Sequence, residues 1–324
     1  MSHDPLIRTS FDAASTADDV VAGLDLADVR AIVTGATSGL GRETARALAS
    51  AGADVTLAVR NPALGTSVAN DITATTGNPA VRPAHLDLAD PAAVTRFTDH
   101  WEGPLHLLIN NAGVMRSTLG RTRQGWELQF ATNHLGHFAL ATGLHRALAT
   151  GAANRGDARI VALTSGAHMY SPVVFDDLHF IRRAYDPQLA YGQSKTANVL
   201  FAVEATRRWA TDGIVANAVN PGGVSTGLQR DFTQEMKDHL DRLEAAGVFA
   251  YKTVGQGAAT TLVAATAPEF AHRGGHYLDD GNESATVPDH VELAGNSHAV
   301  KEWARDAETA QRLWEVSSDL LRHA

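Results

Sequence analysis

Tyr191 and Lys195 stand four residues apart in the stretch Ala190-Tyr191-Gly192-Gln193-Ser194-Lys195. On a helix that spacing puts both side chains on one face, one turn above the other. An ammonium beside a phenol favours the phenolate, so the pair could give and take a proton near neutral pH. Composition singles this lysine out. Of 27 lysines and arginines only Lys195, Lys237, Lys252 and Lys301 are lysine. A compact point charge therefore stands where the chain elsewhere uses the planar arginine fork. The pair alone also fits an ordinary contact on a helix surface. Other residues have to decide between the two.

A second stretch carries its chemistry in glycines. Arg30-Ala31-Ile32-Val33-Thr34 reads as a buried strand and runs into Gly35-Ala36-Thr37-Ser38-Gly39-Leu40-Gly41. A helix follows, with Ala45, Leu48 and Ala49 on its apolar face. Strand, glycine turn and helix in that order suit a dinucleotide: the backbone can approach a pyrophosphate, whose charge sits at the positive helix end. The spacing is GxxxGxG, not GxGxxG. The second strand, Asp54 to Arg60, ends in Val59-Arg60, where a carboxylate would hold a ribose 2′-hydroxyl. Arg42 directly follows Gly41. Two guanidiniums and no acid suit a 2′-phosphate, so the expected cofactor is NADP(H), preferred over NAD(H).

The elements that must position these groups alternate strand and helix. Val81 to Leu86 is a strand followed by Asp87-Leu88 and a helix from Pro91 to His100. Leu105 to Ile109 is a strand closed by Asn110-Asn111-Ala112-Gly113. A long helix is expected from about Gln124 to Ala149, with Trp126, Phe130, His137, Ala141, Leu144 and Leu148 at helical spacing and Asn133 near that face. The next strand, Arg159 to Leu163, ends at Thr164-Ser165. Tyr170 to Tyr185 has no clear period and reads as an excursion over the substrate cleft. The helix with Tyr191 and Lys195 runs to about Trp209. Ile214 to Asn220 is a strand closed by Pro221-Gly222-Gly223. A helical insert follows, then a helix from Gln256 to Thr266, a short strand near His276 to Leu278, and an amphipathic stretch from His298 to Arg322. Residues 1–28 are a polar lead-in with a short helix, 29–288 the catalytic domain with a substrate loop at about 225–254, and 289–324 a C-terminal helical extension. No repeat or linker divides the chain, which reads as one α/β domain.

Composition excludes several functions. The chain has 324 residues, 44% hydrophobic and 19% charged, with a formal net charge of −9. No basic run appears, so nucleic acid is not an expected partner. There is no cysteine, which excludes disulfides, thiol nucleophiles and thiolate metal sites and suits a cytoplasmic location. No signal-peptide start or apolar run long enough to span a bilayer is read. The 15 histidines are scattered. His134 and His137 lack a partnering carboxylate pattern, so no metal is expected.

Taken together, Thr34-Gly35-x-x-x-Gly39-x-Gly41, Asn110-Asn111-Ala112-Gly113, Asn133, Ser165, Tyr191-x-x-x-Lys195 and Asn220-Pro221-Gly222 resemble, in this order, the short-chain dehydrogenase/reductase family. The resemblance covers about residues 28–285. Asn133-His134-Leu135-Gly136-His137-Phe138, Ser165-Gly166-Ala167-His168 and Arg312-Leu313-Trp314 are similar to its retinol-dehydrogenase-like branch. The resemblance implies a single-domain, doubly wound Rossmann fold with a seven-stranded parallel sheet and helices on both faces. It also implies pairing as a homodimer through the two long helices.

The same resemblance implies roles. Tyr191 would be the general acid or base, Lys195 would lower its pKa and hold the nicotinamide ribose, Ser165 would bond the substrate oxygen, and Asn133 would support a water in a proton relay. Gly35, Thr37, Ser38, Gly39, Leu40 and Gly41 would line the pyrophosphate turn. Asp87 and Leu88 would border the adenine, Asn111, Ala112 and Gly113 its ribose, and Pro221, Gly222, Val224 and Thr226 the nicotinamide amide. Met115, His168, Met169, Val173, Phe175, Phe232 and Phe249 would form an apolar pocket for a hydrophobic carbonyl or alcohol. Ser165 and Tyr191 lie further apart than is common in the family, the extra length being Tyr170 to Tyr185. A carbon–carbon double-bond reductase of the same fold and a non-catalytic NADP-binding regulator are the alternatives.

Overall fold

The computed structural model describes residues 5–227, 234–245 and 251–324. The apolar runs become strands β1 (Arg30–Thr34), β2 (Asp54–Val59), β3 (Val81–His85), β4 (Leu107–Asn110), β5 (Ala158–Leu163), β6 (Ile214–Val219) and β7 (Tyr277–Asp279). They lie side by side in the order β3-β2-β1-β4-β5-β6-β7, all parallel, with Val33 opposite both Leu57 and Ile109. Strands such as β5 and β6 are buried at every position, which requires cover on both faces.

The helices are α1 (Ala17–Val21), α2 (Gly39–Ser50), α3 (Pro62–Thr76), α4 (Pro91–Asp99), α5 (Leu128–Phe130), α6 (Gly136–Gly143), α7 (His145–Arg155), α8 (Pro187–Trp209), α9 (Gln234–Ala245), α10 (Val254–Thr266) and α11 (Ala307–Arg322), and eight of them supply that cover. Val20, Leu48, Ile72 and Leu262, from α1, α2, α3 and α10, share one core with one face of the sheet. Val94, Leu140, Leu148 and Phe201, from α4, α6, α7 and α8, share a second core with the other. Three helices start on an Asx-Pro pair, at Asn61-Pro62, Asp90-Pro91 and Asp186-Pro187. In each the side-chain oxygen caps a first-turn N–H while proline, which has none to offer, takes the first helical position.

The structure departs from the expected elements in four places. An eighth strand, β8 (Asn282–Glu283), pairs antiparallel with β7 because the chain reverses through Asp280 and Gly281, both at positive φ. The helix expected from Gln124 to Ala149 is broken. Glu127 caps α5 by accepting from the N–H groups of Gln129 and Phe130, Ala131–Leu135 is a π-helical turn, and α6 and α7 meet at Leu144. All five residues of that turn are buried, so no one-sided apolar period is present to reveal the extra residue.

The Tyr170 to Tyr185 segment does not lie over a cleft. Leu178 and Val173 are buried against Trp126, Phe130 and Leu200. Asp177 accepts from the N–H groups of Ile181, Arg182 and Arg183, Gln193 of α8 donates to Leu178 O, and Arg121 donates to the carbonyls of His179 and Phe180. The segment is a stapled flank of α8.

The chain end is not helical from His298. β9 (Thr286–Val287) and β10 (Val300–Lys301) pair first, and Asp306 caps α11 by accepting from Thr309 N at 2.8 Å. α11 then lies on α8 and α6, with the Trp314 ring 4.8 Å from Phe138 and 5.1 Å from Trp209. At the other end, Ile7 N donates to Glu283 Oε2 and Thr9 N to Asn282 Oδ1, strapping the lead-in over β8.

Candidate active site

β1 leads into α2 on one face of the sheet and β4 leads toward α6 on the other, and this divergence opens a crevice beyond their carboxyl ends. Its volume is about 440 Å³. Thr34 Oγ1 locks the two strand ends together by accepting from the N–H groups of Asn111 and Ala112, both at 2.9 Å. Backbone approach is close here. A Cβ on Gly41 would lie 2.4 Å from Asn111 Nδ2 and 2.7 Å from Gly35 O, so only glycine fits. Ser38 occupies the N-cap of α2 without a side-chain capping bond, and the first turn carries no acid. The N–H groups of that turn are left for an outside anion, so the turn fits a pyrophosphate.

Of the residues expected around a dinucleotide, Gly35, Thr37, Ser38, Gly39, Leu40, Gly41, Arg60, Leu88, Asn111, Ala112, Gly113, Tyr191, Lys195, Pro221 and Thr226 line this one crevice. Four do not. Arg42 is ion-paired with Asp71 of α3, so its guanidinium is directed at a neighbouring helix. Asp87 turns its carboxylate onto Ala89 N at 3.0 Å. Gly222 packs against the Lys252 side chain, and Val224 forms a bridge with Lys252 and faces Gly257. Arg60 has no ion-pair partner among the described residues. Sequence reasoning missed Asn61, Leu64, Val114, Thr132 and Thr164, which also line the crevice. Each lies beside a strand end or one turn from an expected residue, and that adjacency was the available signal.

Tyr191 and Lys195 sit where α8 is buried on nearly every side. Lys195 Nζ lies 5.5 Å from the Tyr191 ring centre and donates to Leu163 O at 3.0 Å. Ser165, at the end of β5, does cap a turn, its Oγ accepting from Ala167 N at 3.1 Å. Its side chain also lies near enough to Tyr191 to draw the phenol's pKa down. Asn133 is held in the π-helical turn: Oδ1 accepts from Val114 N at 2.8 Å, and Nδ2 donates to Val114 O and Ser194 Oγ, both at 3.0 Å. Its carbonyl faces His137 Nδ1 at 3.0 Å, while His137 Nε2 meets Thr34 Oγ1 at 2.9 Å. The Asn133 carbonyl can only accept, so the ring hydrogen belongs on Nδ1 and Nε2 is left to accept from Thr34 Oγ1. Burial keeps this ring neutral, its pKa pushed down to about 4.

The charge states correct one expectation. Burial pushes the Tyr191 phenol well above its ordinary range, and the Ser165 hydroxyl offsets this only in part. Burial also pushes Lys195 down, to about 8. Desolvation therefore outweighs the lowering that the neighbouring Lys195 ammonium was expected to give Tyr191. Both groups share one poorly solvated site that disfavours either charge, and the ammonium is turned to a carbonyl.

A family model for short chain dehydrogenases matches residues 30–237. The chain belongs to the short-chain dehydrogenase family. A protein of Streptomyces antibioticus named "probable oxidoreductase" is 47% identical over 306 residues, which is 93% of this chain and 100% of that one. Retinol dehydrogenase 12 of Mus musculus is 38% identical over 293 residues, 90% of this chain and 85% of its own. Among solved structures, an uncharacterized protein from Mycobacterium paratuberculosis has a TM-score of 0.69 at 32% identity, covering 93% of this chain and 97% of that one. Gluconate 5-dehydrogenase from Burkholderia cenocepacia, in complex with NADP and tartrate, has a TM-score of 0.63 at 26% identity, covering 82% and 97%.

In this short-chain dehydrogenase the expected apolar pocket does not assemble as read from sequence. His168 is fully buried and bonds to backbone: Nδ1 with Ser165 O, Nε2 with Lys301 N. Met169 is buried, and Val173 belongs to the core around Trp126. Phe175 lies under the Arg312 guanidinium of α11, 4.2 Å away. None of these four lines the crevice. Met115 is half-buried next to Val114, whose backbone Asn133 holds. Phe232 and Phe249 lie outside the described residues. Asp279, Asp280 and His298 gather within reach of one another, but their groups are engaged internally: Lys252 pairs with Asp280, and Asn220 and His298 bond Asp279. Among the described residues no helix is long and apolar enough to cross a membrane.

Proposed function

We propose that this chain is an NADP(H)-dependent oxidoreductase that interconverts a hydrophobic alcohol and its ketone or aldehyde, with Tyr191 as general acid and base. One observation carries the reading: the buried Tyr191 phenol lines the same crevice as Lys195 and the glycine turn. A bound nicotinamide supplies or accepts the hydride. A carbonyl gaining hydride builds negative charge on oxygen, and that oxygen needs a proton donor and a hydrogen bond beside it. Tyr191, held protonated by burial, is the donor, and Ser165 holds the oxygen while its backbone is fixed. Lys195, bonded to Leu163 O at the end of β5, would support Tyr191 and hold the nicotinamide ribose in its charged form, and Asn133 ties Val114, beyond β4, to Ser194 of α8. A protonated resting phenol makes the protein ready as an acid, for carbonyl reduction at neutral pH.

Arg60 is the residue for a 2′-phosphate. It lines the crevice just beyond β2, with no carboxylate at that strand end to repel the phosphate and no ion-pair partner among the described residues. Arg42, tied to Asp71, is not needed for this reading. A hydrophobic substrate is supported by the likeness to retinol dehydrogenase 12.

The test is turnover of a panel of aliphatic, aromatic and polyene aldehydes and ketones with NADPH and with NADH. Tyr191→Phe should lower kcat by roughly 10²- to 10⁴-fold, the range of a lost general acid, and leave NADPH binding intact. Arg60→Ala should weaken NADPH by about tenfold and NADH little, as expected for one exposed charge-assisted bond. No turnover of any panel member, or full activity in Tyr191→Phe, would sink the reaction. Equal affinity of the unmutated protein for both cofactors would sink the preference.

A further inference from the structure

We propose that the segment 297–301, from the chain's C-terminal part, belongs to the framework of the active site, and that His168 is the positioning residue through which it holds Ser165. The inference rests on the role of Ser165 proposed above. His168 Nε2 faces Lys301 N at 3.3 Å, and Nδ1 faces Ser165 O at 2.8 Å. A backbone N–H can only donate, so Nε2 accepts and the ring hydrogen must sit on Nδ1, donating to Ser165 O. One neutral tautomer satisfies both contacts. The ring is fully buried and lies 5.0 Å from the Tyr277 ring, and burial pushes its pKa down to about 4, which keeps it in that tautomer.

The donor on β10 is dedicated to this contact. The neighbouring Val300 N donates to Ala285 O, whereas Lys301 N goes to His168. The same segment touches the other strand ends around the crevice. Ser297 O lies 3.4 Å from where a Cβ on Gly166 would sit and 3.5 Å from Asn220 Nδ2, and His298 Nδ1 is 3.0 Å from Asp279 Oδ2. On its far side, His168 O accepts from Thr196, the residue after Lys195, at 3.0 Å. Ser165 is therefore held between the helix that carries Tyr191 and a strand that lies beyond the 30–237 match to the family model. Displacing a reacting group by about 1 Å can cost roughly 100-fold in rate, so this clamp matters to catalysis.

His168→Phe keeps a ring against Tyr277 and removes both bonds. Lys301→Pro removes the N–H at a residue whose φ of −75° proline can adopt, and Lys301→Ala is its comparator for the lost side chain. With NADPH and the best carbonyl of the panel, kcat should fall about tenfold or more in His168→Phe, and in Lys301→Pro relative to Lys301→Ala. NADPH affinity should stay within about twofold of the unmutated protein. In a Ser165→Ala background His168→Phe should cost little further, because it acts through that serine. In the cofactor-free protein, amide exchange at Ala167 and His168 should speed up in both His168→Phe and Lys301→Pro. Unchanged kcat in both variants overturns the inference, as does an equal loss with and without Ser165. If Ser165→Ala itself retains full kcat, the serine's role falls and the inference with it. If Ser165→Ala is impaired while His168→Phe is not, only the inference falls. Should His168→Phe fail to fold, Lys301→Pro carries the same comparison.

Discussion

Raising the pH through about 8 should switch the enzyme off by taking one proton from Lys195. The buried ammonium has a neutral carbonyl, Leu163 O, as its partner, and burial lowers its pKa from 10.5 to about 8. About nine-tenths of the molecules then carry the charge at pH 7 and about one-tenth at pH 9, whereas an ordinary lysine would lose almost none over that span. In the proposed mechanism only the charged form supports Tyr191 and a bound ribose. The value of kcat/KM for NADPH, which reports the free protein, should therefore fall about tenfold from pH 7 to 9 and about a hundredfold by pH 10. Stability moves the other way. The folded pKa lies below the unfolded one, so the unfolded chain holds the extra proton between about 8 and 10.5, and the Lys195 contribution to unfolding free energy rises across that window. Melting curves at pH 7 and 9 would thus separate loss of activity from loss of fold. A flat profile to pH 10 would refute the reasoning, as would a limb that stays near 8 in Lys195→Arg, whose guanidinium does not titrate there.

Three other outcomes follow from packing. Gly41→Ala should weaken NADPH binding strongly by calorimetry and cost about 1–3 kcal/mol of stability, since its Cβ must push the Asn111 amide off Thr34 O. Unchanged affinity would show that the turn can open. Leu313→Ala, at a residue 1% exposed, should cost about 2–5 kcal/mol in urea unfolding; a loss well below 1 would mean that α11 is not part of the core. Removing residues 307–324 uncovers Phe138, Phe201 and Trp209 around the Trp314 site. That variant should self-associate with concentration in sedimentation experiments, and a sedimentation profile identical to that of the full chain would argue that this face needs no cover.

Much of the fold is legible in the residues because it is local. Strand β1, the glycine turn and α2 follow from an apolar run, residues without Cβ and a helical period within about twenty positions. The Tyr191–Lys195 pair is equally local, and its spacing alone places both groups on α8. The π-helical turn at Ala131–Leu135 is hidden because all five of its residues are buried and leave no one-sided period to break. Arg42 looks like a phosphate ligand until Asp71, 29 positions away, takes its guanidinium. Tyr170 to Tyr185 looks loose until Gln193, Arg121 and the Asp177 carboxylate pin it.

The charge states at the site were decided by folding as well. Neighbouring charges along a helix can be read from spacing, but desolvation depends on every atom packed around the group, and here it outweighs the pairing of Tyr191 with Lys195. His168 and Lys301 are 133 positions apart in the chain. Residue order determined which groups can do the chemistry and which backbone turns can carry them. The tertiary structure decided their partners and their solvation, because both depend on contacts between residues that are remote along the chain.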